Sequence, residues 1–441
     1  MENIHKNILH LEPEHGLLND PNGLAFFNGK YYVFHQWNRF KLDHSYKEWG
    51  LFTSSDLLHW KNEETALMPD SKYDKNGVYS GNAVVKDDSL HLFYTGNTKN
   101  GGIRKSYQRQ AISQLPNSFI KKDKVIETPA DFTEHFRDPY VTKTSDGWQM
   151  IVGAQTKEYQ GALATFYSAD LSKWQYKGIF YTDSILDQMC ECPSLVNFGD
   201  KQLLIVCPQK RQINPDQDIS SYAGYLIGMQ KDNKFYPETE IKHLDAGIDF
   251  YAPQVFEDNN GRKIMLAWMS RMSEEQEERC PTNRFGYVHC LTLPRELIFE
   301  NGYLYQRPLK EYRDAFTLKK QIKDKKTEFI ASQDFNVYRF KPEQDTSFEI
   351  SLANETLKLK YDSKQLIFFR KNWINDEYEV RKLNIDHIAQ LELYCDHSAI
   401  EIFINDGEQV MSARYFADSK KRENHFSSSS NFNLEIGNIN L

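Results

Sequence analysis

No stretch of the 441-residue chain approaches the eighteen or so consecutive apolar residues of a membrane-spanning helix. The opening residues, MENIHK, lack the apolar core of a secretory signal. The expectation is a cytoplasmic protein with no membrane partner. An excess of positive charge is also missing: 54 Lys and Arg stand against 62 Asp and Glu, a net charge of −8, which argues against nucleic acid as a partner. A small anionic substrate is not excluded, since it needs only a local basic pocket. Cysteines are few, and Cys190, Cys192, Cys207, Cys280, Cys290 and Cys395 show neither CxxC nor paired-ligand spacing. Free thiols are therefore expected, with no disulfide and no zinc site. GxGxxG and P-loop motifs are absent, and the 13 histidines are scattered without ligand spacing, so neither a cofactor nor a metal is expected.

What the chain does have is aromatic side chains, at 14% of residues, which suit both strands and a sugar-binding surface. It also has a repeat. Five apolar runs, Tyr31–Gln36, Leu90–Gly96, Trp148–Ala154, Gln202–Pro208 and Lys263–Met269, start 59, 58, 54 and 61 residues apart. Each follows a tight-turn pair (Asn28-Gly29, Asp87-Asp88, Asp146-Gly147, Gly199-Asp200, Asn260-Gly261), the mark of a β-hairpin. The pattern Ser-x-Asp-Leu-x-x-Trp occurs at Ser54–Trp60 and again 114 residues on, at Ser168–Trp174. Such periodicity describes a five-bladed β-propeller. The connections are polar and punctuated by Gly and Asp, without the long amphipathic helices that an α/β barrel needs. After about Arg307 the texture changes: runs at 348–352, 357–361, 365–369, 391–395 and 400–404 alternate apolar and polar residues at shorter intervals, as in an antiparallel β-sandwich. The expected class is all-β, with a propeller over 1–306, a linker at 307–318 and a sandwich over 319–441.

Counting back about eight residues from each turn reaches Asp20, Ser80, Asp138, Glu191 and Ala252, the last beside Tyr251. Three of the five repeats thus carry a carboxylate at a matching position. Asp before Pro is common in turns for local reasons alone; three acids in register, each with a Pro one or two residues later, point to convergence on a central pocket. Two facing carboxylates are what glycoside hydrolysis requires, one to attack or to activate water and one to protonate the leaving oxygen. A third nearby carboxylate stabilises positive charge and raises the pKa of the acid. Glu191, longer by a methylene, suits the acid, and Asp20 suits attack on the anomeric carbon.

The segment His10–Gly23 (HLEPEHGLLNDPNG) resembles the signature of glycoside hydrolase family 32. The resemblance continues through Phe34-His35-Gln36-Trp37, Trp49-Gly50, Tyr79-Ser80-Gly81, Phe136-Arg137-Asp138-Pro139, Glu191-Cys192-Pro193, Asp249-Phe250-Tyr251-Ala252, Leu291–Leu297 (LTLPREL) and Ile400–Gly407 (IEIFINDG). It implies a propeller followed by a sandwich, cleavage of β-fructofuranosides with retention, Asp20 as nucleophile, Glu191 as acid/base and Asp138 as transition-state stabiliser. It further implies that Asn19, Gln36, Trp49, Tyr79, Ser80, Arg137, Tyr251 and Trp268 bind the sugar, and that Cys192 tunes the acid/base. From the residues alone, Gln36 and Arg137 could equally make structural hydrogen bonds, and Trp49 and Trp268 could be core. Leu17-Leu18, the Cys-Pro-Gln at 207–209 and HCLTLPREL at 289–297 resemble the bacterial members that act on sucrose 6-phosphate. A phosphate would need cations at the pocket mouth, with Arg104, Lys105, Arg109, Lys210 and Arg211 as candidates. An exo-acting fructan hydrolase, a propeller arabinanase or xylosidase, and a non-catalytic lectin are the alternatives.

Overall fold

The computed structural model describes residues 2–115, 117–209, 221–332, 334–343 and 346–441. Strands take 61% of the residues and helices 5%, so the class is all-β, and the arrangement is a five-bladed propeller with a C-terminal sheet-rich domain. No helix among the described residues is long and apolar enough to cross a membrane. The chain forms two compact units, one of Gly16–Leu244 with Tyr251–Trp268, the other of Met1–His15, Asp245–Phe250 and Met269–Leu441.

In the first unit, blade one comprises Gly16–Phe27, Lys30–Asn38, Glu48–Ser54 and Trp60–Leu67. Blade two has Val78–Lys86, Ser89–Asn100, Ile103–Leu115 and Ser118–Lys121 as its main strands. Blade three has Phe132–Lys143, Trp148–Thr156, Gly161–Ser168 and Gln175–Thr182. Blade four has Met189–Phe198, Lys201–Gln209, Gly224–Lys231 and Lys234–Pro237. Blade five contributes Tyr251–Glu257 and Lys263–Trp268 to this unit. The five repeated apolar runs are the second strands, as their spacing requires. Each packs on both faces: Leu92 and Tyr94 face blade one while Phe93 faces blade three, and Met150 and Val152 alternate with Ile151 in the same way. Two-sided burial explains why these runs are continuously apolar rather than alternating.

The first strands neighbour one another in the order one to five and back to one, closing a ring. Side-chain amides tie these strands together. Asn82 accepts from Val141 N at 2.8 Å and donates to Val141 O at 2.9 Å, while Gln254 accepts from Leu24 N at 3.1 Å and donates to Gly81 O at 2.7 Å. Gly81 must be glycine, because a Cβ there would lie 1.9 Å from Phe93 O. The Ser-x-Asp-Leu-x-x-Trp repeats form one turn twice, with Ser54 and Ser168 capping their own loops and Leu57 and Leu171 buried at positive φ. Trp174 meets Phe93 edge-on at 5.7 Å, so it is inter-blade packing.

In the second unit, two long strands, Phe316–Ser332 and Arg422–Ile439, pair along their length with register shifts near Lys325. The later strand pairs with Phe348–Leu352 through residues 425–428 and with Asn336–Pro342 through residues 432–437, so one hydrogen-bonded ladder serves both sides of the domain. Phe340, Ile350, Leu359, Phe368, Leu393, Ile402 and Phe426 fill its core.

Candidate active site

Every inner strand carries an extra residue at its N-terminal end, where the ladder shifts: between Leu18 and Pro21, Val78 and Gly81, Arg137 and Tyr140, Glu191 and Ser194, and Tyr251 and Gln254. A bulge turns a side chain out of the pleat and re-aims it. Five bulges at one end of the ring therefore aim residues into a common mouth. At the equivalent position inside the bulges of blades three, four and five, Asp138, Cys192 and Ala252 all adopt positive φ, of 65°, 44° and 49°. Non-glycine residues rarely hold that conformation outside sites where the surroundings enforce it.

The ladder corrects one expectation. Glu191 is not at the same position as Asp138. It pairs with Cys207 as Arg137 pairs with Gly153 and Tyr251 with Trp268, flanking its bulge, whereas Asp138 lies inside its bulge. Counting back from the turns misplaces the match because the hairpin loops differ in length: Lys143 pairs with Trp148 across four residues, whereas Phe198 pairs with Lys201 across two. The acids still converge, from adjacent rather than identical addresses.

Asp20 is held at both carboxylate oxygens by neutral donors. Asn19 Nδ2 donates to Oδ1 at 3.1 Å and Ser80 Oγ to Oδ2 at 2.6 Å. Glu191 is gripped differently: Arg137 places Nη2 at 2.7 Å and Nε at 3.1 Å from Oε1, and Tyr251 Oη donates to Oε2 at 2.7 Å. Asp138 links the two. Its Oδ2 accepts from Cys192 N at 3.1 Å and from the Cys192 thiol at 3.6 Å, and that same Sγ is 4.0 Å from Asp20 Oδ2. Burial foremost, with repulsion from Glu191 and Asp20, pushes Asp138 up to about 7 against the opposing pull of Arg137 and the Cys192 N–H. Burial, then Asp138 and Asp20, raise the Cys192 thiol well above its ordinary range, which keeps it a neutral donor.

The other expected sugar contacts fall into two groups. Tyr79 and Tyr251 sit at the bulges, Tyr79 with its hydroxyl accepting from Asn97 Nδ2 at 3.2 Å. Trp49 is fully buried against Phe34 and Tyr94 and donates its indole N–H to Tyr79 O at 3.0 Å. Gln36, opposite Trp49 in the ladder, donates to Val78 O at 2.9 Å. These two support the backbone at Val78–Tyr79. Trp268 is largely buried opposite Tyr251, its ring centroid 6.0 Å from that of His44.

The candidate phosphate cations are also separated. Arg109 is buried, paired with Asp74 at 3.0 Å and bonded to Lys122 O at 2.9 Å, so it holds blade two together and does not serve a ligand. Lys105 lies over Tyr107 and 3.5 Å from Glu127. Arg104 lies over the Tyr79 ring at 5.9 Å, beside the site. Lys210 and Arg211 lie outside the described residues. Sequence reasoning missed Lys47, whose Nζ donates to Asn19 Oδ1 at 2.7 Å; its one signal was its position two residues before the Trp49-Gly50 motif.

One carboxylate fixed by neutral donors, a second clamped between a guanidinium and a phenol, and a buried third between them are the equipment of glycoside hydrolysis, here on an all-β propeller. The model of the glycosyl hydrolases family 32 N-terminal domain matches residues 10–308, and that of the glycosyl hydrolases family 32 C terminal matches residues 312–440. A sucrose-6-phosphate hydrolase of Bacillus subtilis is 36% identical over 98% of this chain and 93% of its own length. The structure of a sucrose-6-phosphate hydrolase from Lactobacillus gasseri superposes with a TM-score of 0.89 at 28% identity, covering 99% of this chain and 94% of that one. A Bombyx mori GH32 β-fructofuranosidase, determined in complex with sucrose, gives 0.88 at 25% identity over 100% and 95% of the two chains. The chain belongs to glycosyl hydrolase family 32, and the β-fructofuranosidase activity expected from its motifs is that of its relatives.

Proposed function

We propose that the chain hydrolyses the β-fructofuranosidic bond of sucrose 6-phosphate with retention of configuration. Asp20 attacks the anomeric carbon; Glu191 protonates the leaving glucosyl oxygen and then activates the water that releases fructose; Asp138 faces the positive charge that develops between them. The observation that carries the assignment is the division of partners: among the described residues Asp20 has only neutral donors on its two oxygens, while Glu191 is held by Arg137 and Tyr251. For Glu191 to take up a proton its ion pair with Arg137 must loosen, and sugar hydroxyls accepting from the guanidinium would do that. Asn19, Tyr79, Ser80, Arg137 and Tyr251 form the fructosyl subsite, with Gln36, Trp49 and Trp268 around it. The relatives' substrate supports an enzyme that acts in the cytoplasm on a small sugar. The two family models, which part between residues 308 and 312, support a domain division within 307–318.

The substrate is tested by kcat/KM for sucrose 6-phosphate, sucrose and a short inulin oligomer. One charge-assisted hydrogen bond to phosphate contributes about 1.5–3 kcal/mol, so a preference for the phosphorylated sugar of about tenfold or more is expected. Arg104→Ala should erode that preference without changing the rate on sucrose. Equal use of sucrose would make the enzyme a general invertase, and preference for inulin would make it a fructanase.

The raised pKa of Asp138 has a consequence for stability. A carboxyl whose folded pKa of about 7 exceeds the ordinary value near 3.8 binds more protons folded than unfolded. Its ionisation therefore costs stability progressively between about pH 4 and 7. Asp138→Asn should abolish most activity yet melt a few degrees above the wild type at pH 8, with the gap shrinking at pH 4.5. Melting curves at the two pH values check this; a gap that fails to grow with pH would show that Asp138 is not the strained carboxylate.

A further inference from the structure

Lys47 directly precedes the strand Glu48–Ser54, and its carbonyl accepts from Val78 N at 2.9 Å, which fixes it beside the start of blade two. Its half-buried ammonium lies 2.7 Å from Asn19 Oδ1 and 2.8 Å from His44 Nδ1. Asn19 is buried, and its Nδ2 donates to Asp20 Oδ1 at 3.1 Å. A primary amide can sit in its pocket in two ways that exchange oxygen and nitrogen. An ammonium only donates, so it selects the orientation with Oδ1 towards itself and the NH2 towards Asp20. In the flipped orientation two oxygens with lone pairs would face each other at hydrogen-bonding distance. Ser80 already pins the other oxygen of Asp20, at 2.6 Å. The relay from Lys47 through Asn19 thus supplies the second of the two contacts that stop the carboxylate turning about its own bond.

We infer that Lys47 is a positioning residue for the nucleophile: it sets the Asn19 amide so that Asn19 holds Asp20 in its attacking orientation. The inference rests on the assignment of Asp20 given above. It differs from a substrate-gripping role in a measurable way. A misaligned nucleophile slows attack on the anomeric carbon whatever the leaving group, whereas a lost phosphate contact weakens only the phosphorylated substrate. Displacements of about an ångström at a reacting group cost up to about a hundredfold in rate.

The experiment uses the full chain with Lys47→Met, which keeps the stem and removes the donors, Lys47→Arg, which restores a cationic donor, Asn19→Ala, and the double variant Asn19→Ala/Lys47→Met. Expected are a ten- to hundredfold fall in kcat for Lys47→Met, by the same factor on sucrose 6-phosphate and sucrose, with KM changed less than about threefold. Lys47→Arg should recover at least half of that loss on a logarithmic scale, and Lys47→Met should cost nothing further in the Asn19→Ala background. If Lys47→Met does not fold, Lys47→Leu, which also removes the donors, takes its place in the same comparison. Additive losses from Asn19→Ala and Lys47→Met would overturn the inference. So would a loss confined to KM for the phosphorylated sugar, or unchanged kcat. An active Asp20→Asn enzyme would instead remove the nucleophile assignment itself, so the two failures are distinguishable.

Discussion

Asp20→Asn should lower kcat by about 10⁴-fold or more while leaving the fold intact. The asparagine is nearly isosteric but offers one acceptor oxygen where the carboxylate offers two, and an amide cannot form the glycosyl-enzyme bond. Asp20 lies at a bulge in the mouth of the ring, and its carboxylate is held by the neutral Asn19 and Ser80, so the change orphans no charged partner among the described residues. On the proposed roles Glu191→Gln removes the proton donor instead, and its cost should depend on the leaving group. Fluoride departs without protonation, so Glu191→Gln should be far less impaired on β-fructosyl fluoride than on sucrose 6-phosphate, whereas Asp20→Asn should be equally inactive on both. The anomeric form of the fructose first released, followed by NMR, checks the stereochemistry. An inverted product would end the covalent mechanism and recast Asp20 as a base.

The second large effect lies in the other unit. His10 is fully buried between two carboxylates, with Nδ1 3.0 Å from Asp396 Oδ2 and Nε2 3.2 Å from Glu401 Oε1. Burial alone would lower its pKa, but the hydrogen bonds to Asp396 and Glu401 outweigh it and raise the imidazole to about 9. Both partners are held below their ordinary range despite burial, Asp396 chiefly by the bond from His10 and Glu401 by Arg295 and then His10. A folded pKa above the unfolded value near 6.5 means that the stabilisation from His10 is complete below about pH 6.5 and is lost as pH rises through about 9. The depressed carboxylates work in the opposite sense: their contribution is present at neutral pH and is lost on acidification below about pH 4. His10→Gln should therefore cost about 3 kcal/mol or more at pH 6, by leaving buried charge uncompensated. The cost should shrink towards pH 9.5, where the wild type has lost its own proton. Denaturant midpoints for both proteins at the two pH values measure it; parallel behaviour across that range would mean that His10 is neutral when folded.

That network explains family-like motifs which the chemistry leaves unused. His10 heads the HLEPEHGLLNDPNG segment, yet it belongs to the buried ion cluster and not to the site. Glu401, from IEIFINDG, accepts from Arg295 Nε at 2.7 Å, and Arg295 comes from LTLPREL. Asp249, from the Asp-Phe-Tyr-Ala motif, accepts from Arg370 Nη1 at 2.7 Å and from Arg414 N at 2.8 Å. Motif residues far apart in the chain, such as His10, Arg295 and Glu401, are thus partners in a buried ion cluster, and Asp249 anchors two arginines, while Asp20 and Tyr251 sit at the bulges. Nothing in residue type separates these roles, because a carboxylate serves equally well as a nucleophile or as a buried counter-ion.

The blades were legible in the linear chain. Five apolar runs behind five turn pairs leave little freedom when both faces of a strand must be buried, and the second strands fall where the spacing put them. The chain also singled out Asp20, Asp138 and Glu191 as the candidate acids, since they recur near one phase of that repeat. Where each acid stands on its strand became visible in the fold, because a bulge adds a residue without leaving a compositional mark. The fold alone turned Arg109 from a candidate phosphate ligand into the partner of a buried Asp74, and brought Lys47 to Asn19. The physical reason is range. Periodic burial is a property of residues near one another in sequence, whereas the partner of a charge is set by whichever strand the closed ring or the folded sandwich carries next to it.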